Sequence, residues 1–354
     1  MLNIYAGKNA LAMINKEGFS ANLFTNFLGA SGGPKWFTLF GLDKYLFGEF
    51  FKYRTKELNL VGSSAGAFRS ACFAQKDPVA AIKRLASSYS ETVYSDKPTS
   101  EEITQKAVQI VDYIFGSCGA QEVIDNKVIK SHFIVSKCKG LTSIENKLVQ
   151  GGALLSSMLL NKIDRRLLSV QYQRYIFKSA TSHLAIKDPY NITTHFSELS
   201  LNNIKQALLA SGSIPIIMSA VKNIPNAPKG AYRDGGIIDY HFDLDLHSQK
   251  LTDPSLTLYP HFNSMPKPGW FDKSNNRKVS LSNYNNTILL APSQEFINSL
   301  PYQKIPDRTD FKTMDAKIRI KYWKEVLSKT ERLAETLDNF LQKKDLSIIK
   351  TFQV

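Results

Sequence analysis

The chain has 354 residues, 43% of them hydrophobic and 21% charged, a balance that excludes both a disordered polypeptide and a membrane-embedded one. Its net charge of +14, from 45 Lys and Arg against 31 Asp and Glu, predicts attraction to anionic surfaces such as phospholipid headgroups. Three cysteines, Cys72, Cys118 and Cys138, form no C-x-x-C pair, so neither a disulfide framework nor a zinc site is expected.

Met1 to Ser20 reads as a mixed segment with one short helix. It lacks the charged start and apolar run of a secretory signal, and no apolar stretch approaches ~20 residues. The expectation is a cytoplasmic protein, at most peripheral to a membrane. Ala21 to Leu28 is strand-like and stops at a glycine-rich turn, Gly29-Ala30-Ser31-Gly32-Gly33-Pro34-Lys35. From Trp36 to Phe50 apolar residues recur at helical intervals, and Pro34 suits a first helical turn, where its missing N–H costs nothing. Gly32 and Gly33 can turn two N–H groups toward one oxygen, as an oxyanion hole requires. A phosphate-binding loop would need G-x-x-x-x-G-K-[ST], and Lys35 stands instead between Pro34 and Trp36.

Asn59-Leu60-Val61 leads into Gly62-Ser63-Ser64-Ala65-Gly66, a match to the G-x-S-x-G elbow, followed by small helix-forming residues to Cys72. In that geometry Ser64 stands in a strained turn at a helix N-terminus, where unpaired N–H groups favour negative charge. A plain run of small residues satisfies the same pattern. Two strand–turn–helix units in succession imply parallel strands, with both glycine turns facing one crevice beyond the strands' carboxyl ends.

Asp77 to about Asp125 reads as helices, one of them opening at Ser100-Glu101-Glu102, and Val128 to Cys138 as a strand with His132 as a core or edge histidine. Leu148 to Phe177 gathers apolar clusters bordered by Lys162, Arg165 and Arg166, a pattern that fits either buried helices or a lid lying in a lipid interface. Asn202 to Ala210 is a helix, and Ala210 to Pro215 a packed turn rather than a reactive site. Asp234 lies between a strand and the pair Gly235-Gly236, where a carboxylate can be held at a sheet edge; taken alone, the segment reads as a surface Asp-Gly turn. Leu256 to Tyr259 and Ile288 to Ala291 are late strands, and one long closing helix is expected from about Thr313 to Gln342. Its lysines suit a solvated face or a binding patch.

Taken together, these motifs resemble the patatin-like phospholipases, serine acyl hydrolases with a Ser-Asp dyad. The family's oxyanion loop is similar to Ala30 to Lys35, its elbow to Gly62 to Gly66, its Asp-Gly-Gly motif to Asp234 to Gly236, and its Ala-Ser-x-x-Ile-Pro turn to Ala210 to Pro215. Ala30 and Ser31 replace the loop's usual aspartate and first glycine, and beyond Tyr240 the likeness carries no residues across. The resemblance implies a three-layer α/β/α fold around a central, mostly parallel sheet. One domain over residues 1–354 is expected, with its core at about 20–295 and a helical extension at about 313–342. It further implies a lipid acyl hydrolase without cofactor or metal. Ser64 would be the nucleophile, Asp234 the base, Gly32 and Gly33 the oxyanion donors, and Lys35 an electrostatic or phosphate contact. Its partners would be a lipid or other acyl ester and a membrane surface, with no nucleic acid. Two rivals stand beside it: an α/β-hydrolase triad using a late histidine such as His241 or His247, and a catalytically silent protein that binds anionic membranes.

Overall fold

The computed structural model describes residues 1–248 and 255–353. The strands are β1 (Leu2–Ala6), β2 (Phe24–Gly29), β3 (Leu58–Ser63), β4 (Ile129–Cys138), β5 (Tyr172–Lys178), β6 (Leu184–Lys187), β7 (Thr194–Glu198), β8 (Val221–Lys222), β9 (Ala231–Asp234), β10 (Asp245–Ser248), β11 (Leu256–Pro260), β12 (Thr287–Pro292) and β13 (Lys350–Thr351). The helices are α1 (Lys8–Glu17), α2 (Phe40–Tyr45), α3 (Ala65–Phe73), α4 (Pro78–Ser90), α5 (Ser100–Phe115), α6 (Gly119–Asp125), α7 (Lys147–Ile163), α8 (Ile204–Ser211), α9 (Gln294–Asn298), α10 (Asp310–Thr313), α11 (Ala316–Lys329) and α12 (Glu331–Lys343).

One sheet runs β13-β1-β12-β11-β2-β3-β4-β5-β7, and its centre, β12-β11-β2-β3-β4, is wholly parallel. Its central strands are buried almost throughout, polar residues such as Asn26, Asn59 and His132 included, because both faces are covered. Successive residues serve opposite layers: Phe27, Leu60, Phe133 and Leu258 join one core, while Leu28, Val61, Ile134 and Tyr259 join the other. The first core is roofed by helices from α1 to α5, α8, α11 and α12. The second is roofed by the antiparallel pair β6–β10 and short 3₁₀ turns. The mostly parallel sheet between two flanking layers is as the sequence predicts.

Strand β1 lies in the segment that the sequence reads as mixed, far along the chain from its sheet partner. It pairs antiparallel with β12 and is recognisable only through that partner. The closing helix is two helices, α11 and α12, broken at Thr330. There the Thr330 hydroxyl accepts the Gly41 N–H at 2.9 Å, and a Cβ on Gly41 would collide with the Thr330 carbonyl. A tertiary contact therefore ends a pattern that periodicity alone would continue. A buried bidentate ion pair, Arg69 to Asp43 at 2.6 and 2.8 Å, ties α3 to α2 and leaves neither charge uncompensated.

Two strands share one edge of β4. β3 runs parallel to it and ends with Ser63 opposite Ile134; β9 runs antiparallel and ends with Asp234 opposite Val135. They run toward each other and stop nose to nose. On the other side of β3, Gly29 of β2 is in register with Gly62, and the backbone of Gly66 rests on Gly29. A Cβ on Gly66 would overlap the Gly29 carbonyl, and one on Gly62 would come within 2.6 Å of the Ala67 nitrogen.

Gly66→Ala is expected to cost more than about 4 kcal/mol or to prevent folding, because backbone surrounds the missing methyl and cannot give way. Gly151→Ala in α7, where a Cβ meets nothing within 4 Å, should instead stabilise by about 0.5–1 kcal/mol. Denaturant titration of both variants checks the contrast.

Candidate active site

Ser64 has φ +53° and ψ −125°, a left-handed conformation that non-glycine residues adopt rarely and that marks stored strain. Its hydroxyl donates to Asp234 Oδ2 at 2.7 Å. The Ser64 N–H donates at 3.0 Å to the hydroxyl of Ser211, which in turn donates to the Ile134 carbonyl at 2.7 Å. The elbow is thus anchored to α8 and β4 together, and the turn expected only to pack is part of the site. Ser213 adds a second tie, its carbonyl accepting the Asp234 N–H at 2.9 Å.

Asp234 is no surface turn: it is only 6% exposed, and Ser64 is 5% exposed. Its second oxygen, Oδ1, accepts the Gly236 N–H at 2.7 Å, so each oxygen has a fixed partner. Gly235 lies against the Ile134 carbonyl, and a Cβ on Gly236 would meet the Ser31 hydroxyl at 2.5 Å. Any larger pair of residues would push the aspartate off the sheet edge. Just beyond, Asp239 takes a bidentate contact from the buried Arg174 at 2.6 and 2.8 Å, and Arg165 bonds the Ile238 carbonyl and Asp272. These buried arginines pin the turn that follows Asp234, and their spacing in sequence announces nothing of it.

The glycine loop sits beside the pair. Ser31, standing where the resembled motif has glycine, donates its hydroxyl to Ser63 at 3.0 Å and its N–H to the Tyr240 carbonyl at 2.9 Å, and so links the loop to β3 and to the aspartate turn. Gly33 has φ +57°, and a Cβ there would strike Arg308 Nε at 2.8 Å; at Gly32 it would strike the Phe262 ring at 2.7 Å. Lys35, in the first turn of the 3₁₀ helix Gly33–Leu39, pairs its ammonium with Asp307 at 3.3 Å.

Two cations that the sequence did not single out complete the surroundings. Arg308 lines a cleft together with Asp234, Gly236, Tyr240, Pro215 and Trp270. Lys273 holds its ammonium 3.9 Å from the centre of the Tyr240 ring. Burial, reinforced by the charges of Arg308 and Lys35, brings Lys273 down to about 7 against the pull of Asp234. Burial pushes the Asp234 carboxyl above its usual range, opposed by the Ser64 hydrogen bond and by the charge of Arg308.

Among the described residues no histidine is a hydrogen-bond partner of Ser64 or Asp234. His241 is buried against His261, and its Nδ1 accepts the Lys267 N–H at 2.9 Å. His132 is a core histidine, held between the Leu60 carbonyl and the Ser182 hydroxyl and lowered by burial to about 4.

A family model for patatin-like phospholipases matches residues 58–241, from the first residue of β3 to just past the aspartate turn. The glycine loop before β3 lies outside the match and is joined to it by geometry alone. Among curated protein sequences none matches the chain. Among solved structures, VipD from Legionella pneumophila is 12% identical, covering 95% of this chain and 70% of its own, with a TM-score of 0.38. Human GIVD cytosolic phospholipase A2 is 9% identical, covering 98% of this chain and 66% of its own, with a TM-score of 0.42. The family match takes in more than half of the chain and both members of the Ser64–Asp234 pair, and the chain belongs to the patatin-like phospholipase family, a family of lipid acyl hydrolases.

Proposed function

We propose that the chain hydrolyses acyl esters of lipids, as a phospholipase A or lysophospholipase, through a dyad of Ser64 and Asp234. The observation that carries this reading is the 2.7 Å hydrogen bond from the Ser64 hydroxyl to the Asp234 carboxylate at a left-handed elbow. In the first half-reaction Ser64 Oγ attacks the ester carbonyl while Asp234 takes its proton. The N–H groups of Gly32 and Gly33 hold the resulting oxyanion. Collapse of the intermediate expels the alcohol, which leaves with the proton from Asp234, and the acyl group stays on Ser64. In the second half Asp234 takes a proton from water, whose oxygen attacks the acyl ester, and the acid departs as Ser64 recovers its proton.

An ordinary aspartate, at about 3.9, is a poor base near neutrality. Burial raises Asp234 and brings its basicity closer to the task, while the Gly236 N–H keeps one oxygen fixed so that the other meets Ser64. Arg308, packed on Gly33, stands beside the loop where negative charge develops, and Lys35 is held at the same loop by Asp307. The histidine rival loses support from His241, whose Nδ1 is engaged by the Lys267 backbone. Membrane association would be peripheral, as no helix among the described residues is long and apolar enough to cross a bilayer.

Hydrolysis of phospholipid vesicles and of a short-chain chromogenic ester should fall by at least about 1,000-fold in Ser64→Ala and Asp234→Asn and stay within about threefold in His241→Ala. A histidine variant as damaging as Ser64→Ala would overturn the dyad. Arg308→Ala should lower kcat by about 10- to 100-fold with the ester's KM little changed, since its charge is used where the oxyanion forms.

The raised Asp234 also has a consequence for stability. A carboxyl whose folded pKa exceeds its unfolded value binds more protons in the folded state, so its ionisation costs stability as pH rises through that window. Asp234→Asn, which keeps the shape and the Gly236 hydrogen bond and meets Ser64 with an N–H donor in place of the charge, should therefore melt above the wild type at pH 7 and lose that advantage below about pH 4. Melting curves at the two pH values check the sign.

A further inference from the structure

Helix α7 is built inside out. Its buried residues are Gln150, Ala153, Ser157 and Asn161, while Leu148, Leu155, Leu159 and Ile163 face outward, with Leu148 87% exposed and Ile163 77% exposed. At 100° per residue these four outward positions fall within an arc of about 80°. The inward polar side chains are committed to partners. Gln150 accepts the Ile216 N–H and donates to the Ile144 carbonyl at 3.2 Å. The Ser157 hydroxyl bonds Gln171 at 2.6 Å and Tyr172 at 2.9 Å, and Asn161 donates to Asp272 at 2.7 Å. Rolling the helix to bury its leucines would strand all three, so the apolar face is fixed outward.

Those same partners tie α7 to both walls of the active-site cleft. Ile216 follows Ile214 and Pro215, which line the cleft, and Asp272 closes the turn that begins at Trp270, which also lines it. Ile216 holds φ +67°, a strained conformation for a β-branched residue, and with its neighbour Ile217 it points out beside the helix, each more than a third exposed. Exposed apolar side chains thus stand both on the outer face of α7 and at Ile216 and Ile217, next in sequence to the cleft-lining Ile214 and Pro215.

Charge decides what covers it. The helix contains no acidic residue, and exposed Lys147 and Lys162 border its outer face on a chain of net charge +14. Two copies pressed together through this face would bring these lysines together across the two-fold axis, whereas a bilayer bearing anionic headgroups would attract them.

We propose that the outer face of α7, with Ile216 and Ile217, seats the protein on an anionic lipid bilayer, the leucines entering the acyl boundary and Lys147 and Lys162 meeting headgroups. The proposal rests on the lipid-hydrolase reading for the substrate that this surface would deliver to Ser64. It assigns α7 as a fixed docking surface, not a closing lid.

The test uses the full chain carrying Ser64→Ala, so that vesicles are not consumed, in co-sedimentation with phosphatidylcholine vesicles containing increasing phosphatidylserine. Binding should rise with phosphatidylserine and fall with salt. Adding Leu155→Ser and Leu159→Ser should weaken it at least about tenfold, and Lys147→Glu with Lys162→Glu should remove the dependence on phosphatidylserine. With Ser64 intact, the leucine pair should still turn over a soluble chromogenic ester at the parental rate, which verifies that it folds. Equal binding of parent and leucine variant, no binding by the parent, or a leucine-dependent dimer in sedimentation velocity would each overturn the proposal. Vesicle binding without any ester turnover in the Ser64 protein would instead count against the hydrolase reading and leave the docking surface standing.

Discussion

Strand β4 carries two neighbours along one edge, β3 arriving at Ser63 and β9 arriving from the opposite direction at Asp234, and the site exists because both stop there. The hydrogen bond between Ser64 and Asp234 spans that gap. Each end is held independently of the bond itself: the elbow by the backbone contact of Gly66 on Gly29 and by Ser211, the aspartate by Gly235 against Ile134 and by the Ser213 carbonyl. Small residues are needed where backbones touch, and the rest of the sheet can vary around that junction.

Holding a carboxylate there costs stability. Asp234 is buried, its ionised form is disfavoured by desolvation, and beside the hydrogen bonds from Ser64 and Gly236 the compensating charge arrives from distant parts of the chain: Arg308 before α10 and Lys273 in the loop after β11. Ser64 adds a strained backbone beside it. A protein selected only to be stable would keep neither, and their coexistence within hydrogen-bond reach is a mark of function at this place. The long loops beyond β9 then supply the charge environment that the two residues need, which ties the C-terminal third of the chain to chemistry seeded near its start.

The local part of this arrangement is legible in the sequence. Gly62 to Gly66 and Asp234 to Gly236 are close-approach motifs, and the run feeding the first, Leu58 to Val61, reads as a strand because it lies in the parallel part of a sheet covered on both faces. What depends on distant contacts is not legible. Asp234 alone reads as a surface turn until β4 is laid beside it; Arg308 and Lys273 carry no spacing relative to Ser64; and Thr330 breaks a well-patterned helix only because Gly41 is pressed against it. The pattern of α7 misleads in a more instructive way. Its leucines suggest burial, but Gln150, Ser157 and Asn161 take the inner face, and only their hydrogen bonds reveal which side of the helix faces water.

In the proposed dyad Ser64 is a nucleophile activated by ionised Asp234. The most direct measurement is the rate at which a fluorophosphonate labels the protein across pH 4 to 9, with the modified residue identified by mass spectrometry. A single adduct on Ser64 is expected, with a rate that rises as Asp234 loses its proton and collapses in Asp234→Asn while surviving replacement of His241. Labelling of another residue, or a rate on Ser64 that is indifferent to Asp234→Asn, would contradict the dyad.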